Sequence, residues 1–258
     1  MENVRSDWLF VTGAPRSGAT LTSYLISLHQ NAECLHETHF PIDMFFTFYP
    51  GDQSIDRIES WMPLWREASF KWMGSQEEKL GPASNIQTRI MGLIAAGGQF
   101  LKGDSPFSHC EPRVQAVMLT RACCSAIRGV CGSQSSLVFG DKSPEYCHWW
   151  GLVRELFVDC KIVYVDRDIE ENAKSMVRCG FIANTVELAT KEVQRYRDAI
   201  IPCNVPLMHT VKLEELEASP AEVITSMLEY LELDPSDYPM TQAIDIVQNG
   251  DLNRSRRR

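Results

Sequence analysis

Hydrophobic positions along the chain follow two rhythms. Short apolar runs end in small or charged residues: Trp8-Leu9-Phe10-Val11-Thr12 ahead of Gly13, Leu137-Val138-Phe139-Gly140-Asp141, Lys161-Ile162-Val163-Tyr164-Val165 and Leu207-Met208-His209-Thr210-Val211. Runs this short and this continuous mark strands buried on both faces, as in a parallel sheet. Between them apolar residues recur every three or four positions. Leu21, Leu25 and Leu28 predict a helix from Gly18 to about His29, because that spacing lines one helix face. A short strand at residues 33–36 follows, so the first forty residues read strand, glycine loop, helix, strand, a βαβ opening. Further helices are predicted at residues 113–130, 146–158, 170–178 and 186–200, and from the last strand through Leu231.

The middle of the chain is poor in strand-forming runs. Residues 55–73 and 85–101 carry helical spacing, and Gly97-Gly98, Lys102-Gly103-Asp104-Ser105-Pro106 and Gly132-Ser133-Gln134-Ser135-Ser136 punctuate it as loops. A helical insertion over about residues 41–136 is expected. The aromatic run Phe40-Pro41-Ile42-Asp43-Met44-Phe45-Phe46-Thr47-Phe48-Tyr49 suits either a substrate pocket or helix packing. No internal repeat is present. The whole of residues 1–258 is expected to form one domain, with a disordered tail at 251–258 containing Arg254-Ser255-Arg256-Arg257-Arg258.

Composition narrows the classes. The chain of 258 residues is 44% hydrophobic and 23% charged, ordinary values for a globular protein. A formal charge of −9 argues against general nucleic-acid binding, although a local pocket on an acidic protein can still hold a small anion. No run approaches the roughly 18 apolar residues of a membrane span. The N-terminus lacks the apolar core of a signal peptide and the first strand begins at once, so a cytoplasmic location is expected. Nine cysteines lie scattered through apolar segments without a C-x-x-C pair. They are expected to be reduced, mostly buried thiols, with no metal site.

The first candidate for chemistry is Gly13-Ala14-Pro15-Arg16-Ser17-Gly18-Ala19-Thr20, between a strand and a helix. Its spacing is one residue away from the P-loop pattern, which wants Lys at position 19. In such a loop backbone N–H groups converge on an anion at the helix start, and the helix dipole adds positive potential. An alanine cannot reach a β- or γ-phosphate as the lysine does. The loop therefore keeps its anion cradle and loses its triphosphate specificity. Together with the alternation of strands and helices it predicts a three-layer α/β domain, P-loop NTP-hydrolase-like, with a mostly parallel central sheet. A small-molecule kinase or NTPase is an alternative, with Asp166 after Val163-Tyr164-Val165 as its Mg2+ ligand. So is a glycine turn without a ligand.

Pro15-Arg16-Ser17-Gly18-Ala19-Thr20-Leu21 resembles the Pro-(Arg/Lys)-Ser-Gly-Thr-Thr-Leu loop of sulfotransferases that use 3′-phosphoadenosine 5′-phosphosulfate (PAPS). The resemblance implies that Arg16, Ser17, Gly18, Ala19, Thr20 and Leu21 hold the donor, with Arg16 supplying the missing lysine's charge. Ala19 departs from the usual Thr, and the lost hydroxyl implies weaker donor binding. Arg167 and Ser175, eight residues apart after a strand, resemble the 3′-phosphate motif of the same family. An Arg at a strand end can meet a phosphate with a bidentate fork. The family commonly has Pro two residues after this Arg, where Ile169 stands here.

Sulfuryl transfer needs a base for the acceptor and positive charge for the leaving oxygen. Cys34-Leu35-His36-Glu37-Thr38-His39-Phe40 resembles the Glu-Thr stretch of protein-tyrosine sulfotransferases and related bacterial enzymes. There the base is a Glu twenty-one residues after the loop Arg, which implies Glu37 here (16 + 21 = 37). Cytosolic sulfotransferases use His, which makes His36 and His39 rivals. In extended geometry Glu37 and His39 share a face and His36 points away, so His39, with Phe40, is expected on the acceptor side. Gly140-Asp141-Lys142-Ser143-Pro144 resembles a Lys-x-Pro segment some twenty-five residues before the 3′-phosphate Arg, implying that Lys142 neutralises the bridging oxygen. Independently, Ser143 and Pro144 suit a helix cap and first position.

Thr12, Glu37, Lys142 and Arg167 all stand at strand ends, so a parallel sheet would gather them at its carboxyl edge, where ligands bind in open α/β folds. Val211-Lys212-Leu213-Glu214-Glu215-Leu216 resembles a late strand-to-helix segment of the family, with Leu213 where Tyr is usual, and is assigned structure only. The expected reaction moves a sulfuryl group from PAPS to a hydroxyl or amine of a small molecule, peptide or sugar. Adenosine 3′,5′-bisphosphate is left, and no metal takes part. A nucleotide-binding protein without activity is the alternative from another class.

Overall fold

The computed structural model describes residues 7–49, 110–131, 136–180, 183–200 and 208–249. The helices expected at 55–73 and 85–101 and the tail at 251–258 lie outside the described residues. Five strands are present: β1 (Asp7–Thr12), β2 (Ala32–His36), β3 (Val138–Lys142), β4 (Lys161–Asp166) and β5 (Met208–Lys212). They form one sheet in the order β2-β3-β1-β4-β5, and every pairing is parallel. All five lie within one residue of the strands read from the sequence.

Strand alternation divides the core. Leu9 and Val11 of β1 join Val138, Val163, Val165 and Val211 in a cluster on one side of the sheet. Phe10 joins Phe139 and Ile162 on the other. This is the period of two along a strand, and both faces are apolar because helices cover both. The first face carries α1 (Ala19–Ile26), α7 (Leu213–Ala218), α8 (Pro220–Tyr230) and α9 (Met240–Asn249). The second carries α2 (Phe40–Phe48), α3 (Pro112–Cys131) and α4 (Trp150–Leu156). A third cluster packs α5 (Ile169–Cys179) and α6 (Val186–Ile200) around Tyr164, through Ala173, Met176, Ala189 and Val193. Phe40, Phe45 and Phe48 are buried in the second cluster, so the aromatic run serves helix packing.

Several boundaries differ from the sequence expectation for local reasons. Helix α1 stops at Ile26 rather than near His29. The helix expected at 146–158 is a 3-10 turn, Pro144–Cys147, followed by α4. The helix expected through Leu231 breaks at Ser219, because Pro220 lacks the N–H to continue it and opens α8 instead. Helix α9 was not anticipated, although Ala243, Ile246 and Val247 form its buried stripe. Helix α5 starts without the family's proline because Asp168 caps it, accepting the Glu171 N–H at 3.0 Å.

Among the described residues, Cys34, Cys123, Cys124, Cys147 and Cys160 are buried free thiols and Cys179 is exposed. No described helix is long and apolar enough to cross a membrane.

Candidate active site

The glycine loop leaves the centre of the sheet. The Thr12 hydroxyl donates to the Pro144 carbonyl at 3.3 Å, tying β1 to the turn after β3. A Cβ on Gly13 would collide with the Val165 carbonyl oxygen of β4 and lie 2.6 Å from Ser17 Oγ, so the crossing admits only glycine. The Ser17 N–H closes the turn onto the Ala14 carbonyl at 3.0 Å. Arg16 takes a left-handed φ of 69°. Gly18, at φ 103°, caps α1, and a Cβ there would stand 2.8 Å from Leu213 Cδ1. Leu213 thus packs against the loop. Ser17 is buried, yet its Oγ has no hydrogen-bond partner. A buried hydroxyl without a partner is uncommon, and this one lies in the glycine loop just before α1. Ala19 buries its methyl in the core with Leu9 and Val11, while Thr20 and Leu21 are half-buried.

Two residues far from this loop in sequence, Arg167 and Ser175, meet its Arg16. Arg16 Nε donates to Ser175 Oγ of α5 at 3.5 Å. Arg167 Nη1 donates to the Arg16 carbonyl at 3.2 Å. Arg167 is itself held from behind. Arg197 of α6 donates to the Arg167 carbonyl at 2.5 Å and pairs with Asp166 Oδ1 at 2.6 Å. The next residue, Asp168, donates its N–H to Glu214 at 2.9 Å. Asp166, which a kinase would need for Mg2+, is therefore paired with an arginine. The sequence carried no sign of Arg197 or Glu214, since an Arg or Glu on a helix has no local marker of what it meets.

The second group stands on the neighbouring strands. β2 pairs with β3 so that His36 faces Lys142, and Lys142 is in register with Val11, two residues before Gly13. The Glu37 N–H carries the β2–β3 ladder one step further, donating to the Lys142 carbonyl at 2.6 Å. Lys142 Nζ then donates to the Glu37 carboxylate. The lysine side chain is 2% exposed and the glutamate 38%, so the ammonium is buried under a carboxylate that still meets solvent.

The backbone after β2 is not extended. Glu37 and His39 both take φ 50°, in the left-handed region. The face-sharing expected for Glu37 and His39 assumed strand alternation and does not apply. His39 is buried, with Nε2 3.0 Å from Ser143 Oγ. Burial, and then the charge of Lys142, hold its pKa well below the usual histidine value. His36 turns toward α1, its Nδ1 3.2 Å from Ser23 Oγ. Phe40 packs in the core, its ring 6.3 Å from that of Trp8. Ser143 caps the 3-10 turn by accepting the Glu145 N–H at 3.1 Å, with Pro144 in first position, as the sequence indicated.

Two further carboxyl groups belong to this neighbourhood. Asp141 of β3 has no exposed surface. It accepts the N–H of Thr38 at 3.2 Å, the N–H of His39 at 3.1 Å and the Tyr146 O–H at 2.6 Å. Burial pushes its pKa up to about 6 in spite of these bonds. Glu145 accepts the Tyr196 O–H at 3.1 Å. Burial pushes its pKa up to about 7, with the Tyr196 bond pulling the other way. Among the described residues no group of three or more His, Cys, Asp or Glu is placed to hold a metal ion.

At one sheet edge the chain thus presents a glycine loop, two arginines and a serine locked together, and a carboxylate on a buried ammonium. Comparisons with known proteins bear on this arrangement. The model of the sulfotransferase family matches residues 9–237. No curated protein sequence matches the chain. Among solved structures, the chain resembles the sulfotransferase domain of the Synechococcus PCC 7002 olefin synthase, with a TM-score of 0.54, 17% identity, 91% of this chain and 76% of that one covered. The sulfotransferase domain from the curacin biosynthetic pathway gives 0.51 at 15% identity, covering 90% and 76%. Sulfotransferase STF9 from Mycobacterium avium gives 0.51 at 13% identity, covering 96% and 68%. At these identities the structures speak for the fold.

Proposed function

The chain belongs to the sulfotransferase family, and on that premise we propose that it transfers the sulfuryl group of PAPS to a hydroxyl or amine acceptor, with Glu37 as general base. The acceptor oxygen or nitrogen attacks sulfur while its proton passes to Glu37. The bond from sulfur to the bridging oxygen breaks, and its electron pair stays on the departing adenosine 3′,5′-bisphosphate. Lys142 and Arg16 take up the charge that develops on that oxygen. Ser17 to Leu21 hold the 5′-phosphosulfate, and Arg167 and Ser175 hold the 3′-phosphate. His39, in the turn after Glu37, is assigned to the acceptor side, and Phe40 backs it from the core at the start of α2.

The observation that carries this reading is the register of β3. It sets Lys142 beside Val11, at the mouth of the glycine loop, and in the same step against Glu37. Base, cation and anion cradle then lie within adjacent strand ends. The unpartnered Ser17 hydroxyl adds support for an anion in the loop. In this reading the bridging oxygen of the donor draws Lys142 off Glu37. With the ammonium drawn away, the carboxylate is free to meet the acceptor.

Thermal-shift measurements with adenosine 3′,5′-bisphosphate and with ATP plus Mg2+ test the donor. Stabilisation by the bisphosphate is expected, and a preference for ATP would sink the proposal. Labelled-sulfate transfer from PAPS onto phenols, sugars and peptides then finds the acceptor class.

A further inference from the structure

We propose that Asp141 is a positioning residue for Glu37, setting the turn that aims the carboxylate at Lys142. The inference rests on Glu37 being the base. The turn from β2 into α2 is strained: Glu37 and His39 both hold a left-handed backbone, with Thr38 between them. For residues other than glycine such a conformation is costly and persists only where its surroundings hold it. Asp141 is what holds it. Its Oδ1 takes the Thr38 N–H and its Oδ2 the His39 N–H, so one carboxylate grips the amides inside the strained stretch. Bonds from N–H groups to a carboxylate are among the stronger ones in proteins.

The grip is itself rigid. Asp141 is on β3, between β2 and β1 in the sheet, and is fully buried. The Tyr146 O–H, from the 3-10 turn, pins Oδ2 at 2.6 Å. Successive side chains of a strand point to opposite faces. The end of β3 thus presents Lys142 on one side and Asp141 on the other. Lys142 takes the Glu37 carboxylate directly, and Asp141 fixes the backbone that delivers it. Both halves of the Glu37–Lys142 pair are therefore set by two consecutive residues.

An Asp141→Asn variant keeps the shape and loses the grip. Its amide oxygen can serve the two donors now at Oδ2, but its NH2 then faces the Thr38 N–H, donor against donor. The full-length variant would be assayed for labelled-sulfate transfer from PAPS to the best acceptor of the panel. The dissociation constant of adenosine 3′,5′-bisphosphate and the amide exchange of residues 38 and 39 would be measured alongside. Turnover should fall by about 10- to 100-fold, the order expected when a reacting group is misplaced by around an ångström. Bisphosphate affinity should stay within about threefold, since the loss belongs to kcat rather than to donor binding. The two amides should exchange faster.

Should Asp141→Asn fail to fold, Tyr146→Phe carries the test, because it frees the carboxylate without altering its charge. A smaller fall in kcat, unchanged bisphosphate affinity and faster exchange at residues 38 and 39 are expected. Wild-type turnover in Asp141→Asn, or in Tyr146→Phe where that variant stands in, would overturn the inference while leaving the functional reading intact. So would a loss of bisphosphate affinity as large as the loss of turnover. A wild-type chain that neither binds the bisphosphate nor transfers sulfate would overturn the functional reading, and this inference with it.

Discussion

Glu37 and Lys142 meet twice, across 105 residues of sequence: the Glu37 N–H donates to the Lys142 carbonyl, and Lys142 Nζ donates to the Glu37 carboxylate. The backbone bond fixes where the carboxylate starts from, and the side-chain bond fixes where it ends. A side chain held at both ends keeps little conformational freedom of its own.

Removing the proposed base alone should cost turnover. Glu37→Gln is expected to lower kcat by about 10²- to 10⁴-fold, the usual range for a lost general base, with donor affinity little changed. Labelled-sulfate transfer from PAPS measures it. His39→Ala serves as the contrast, and a variant pattern in which only His39→Ala abolishes transfer would reassign the base.

Lys142 is buried and its partner carboxylate is half in solvent. Lys142→Met should therefore change stability by only about 1 kcal/mol, because the carboxylate left behind can still be hydrated and an apolar chain of similar size fills the site. Turnover should fall by about 10²- to 10³-fold through loss of the ammonium proposed to stabilise the leaving oxygen. Urea unfolding together with single-turnover kinetics separates the two effects.

Arg167 is proposed to read the 3′-phosphate. Arg167→Ala should weaken adenosine 3′,5′-bisphosphate by about 10- to 100-fold, matching the ~1.5–3 kcal/mol of a hydrogen bond to a charged group. Adenosine 5′-monophosphate, which lacks that phosphate, should bind both proteins alike. Calorimetry on the two nucleotides decides, and an equal loss for both would show that Arg167 only braces the loop.

Gly18→Ala should destabilise the loop for a backbone reason. Its φ of 103° and the Leu213 side chain 2.8 Å from the new Cβ leave no unstrained solution. A cost of about 1–3 kcal/mol corresponds to a fall in Tm of several degrees at this size. Scanning calorimetry without nucleotide is the measurement.

The raised pKa of Glu145, about 7 against an ordinary 4.5, makes a signed prediction. Between these values the folded chain binds more proton than the unfolded one, so stability falls as pH rises from about 4.5 to about 7. Asp141, raised from 3.8 to about 6, acts in the same direction over its own window. Glu145→Gln should flatten the Glu145 part of this slope and be more stable than wild type at pH 8 relative to pH 5. Urea unfolding at the two pH values reads the difference, and parallel slopes in both proteins would refute it.

Much of this protein was legible from local pattern. β1 and β4 were visible because a strand buried on both faces must be apolar throughout. Ser143 and Pro144 announced their turn because capping is a contact between neighbours in sequence. Helix boundaries were less legible. Nothing short of Pro220 itself marks the break after α7, and α9 hides a modest apolar stripe among polar residues.

The sequence by itself determined the fold class and the loop, because hydrophobic period and glycine spacing are local properties, and it brought Glu37, Lys142, Arg16, Arg167 and Ser175 forward as candidates. Which of them touch was decided by the tertiary structure. β2 pairs with a strand that begins about a hundred positions later, and its register sets His36 against Lys142, one residue before Glu37. The left-handed turn after Glu37 overruled strand alternation, because Asp141 supplies acceptors for amides that an extended chain would place elsewhere. Arg197 reached Arg167 only because α6 packs beside β4. Such contacts depend on sheet order and register, and no short-range spacing encodes either.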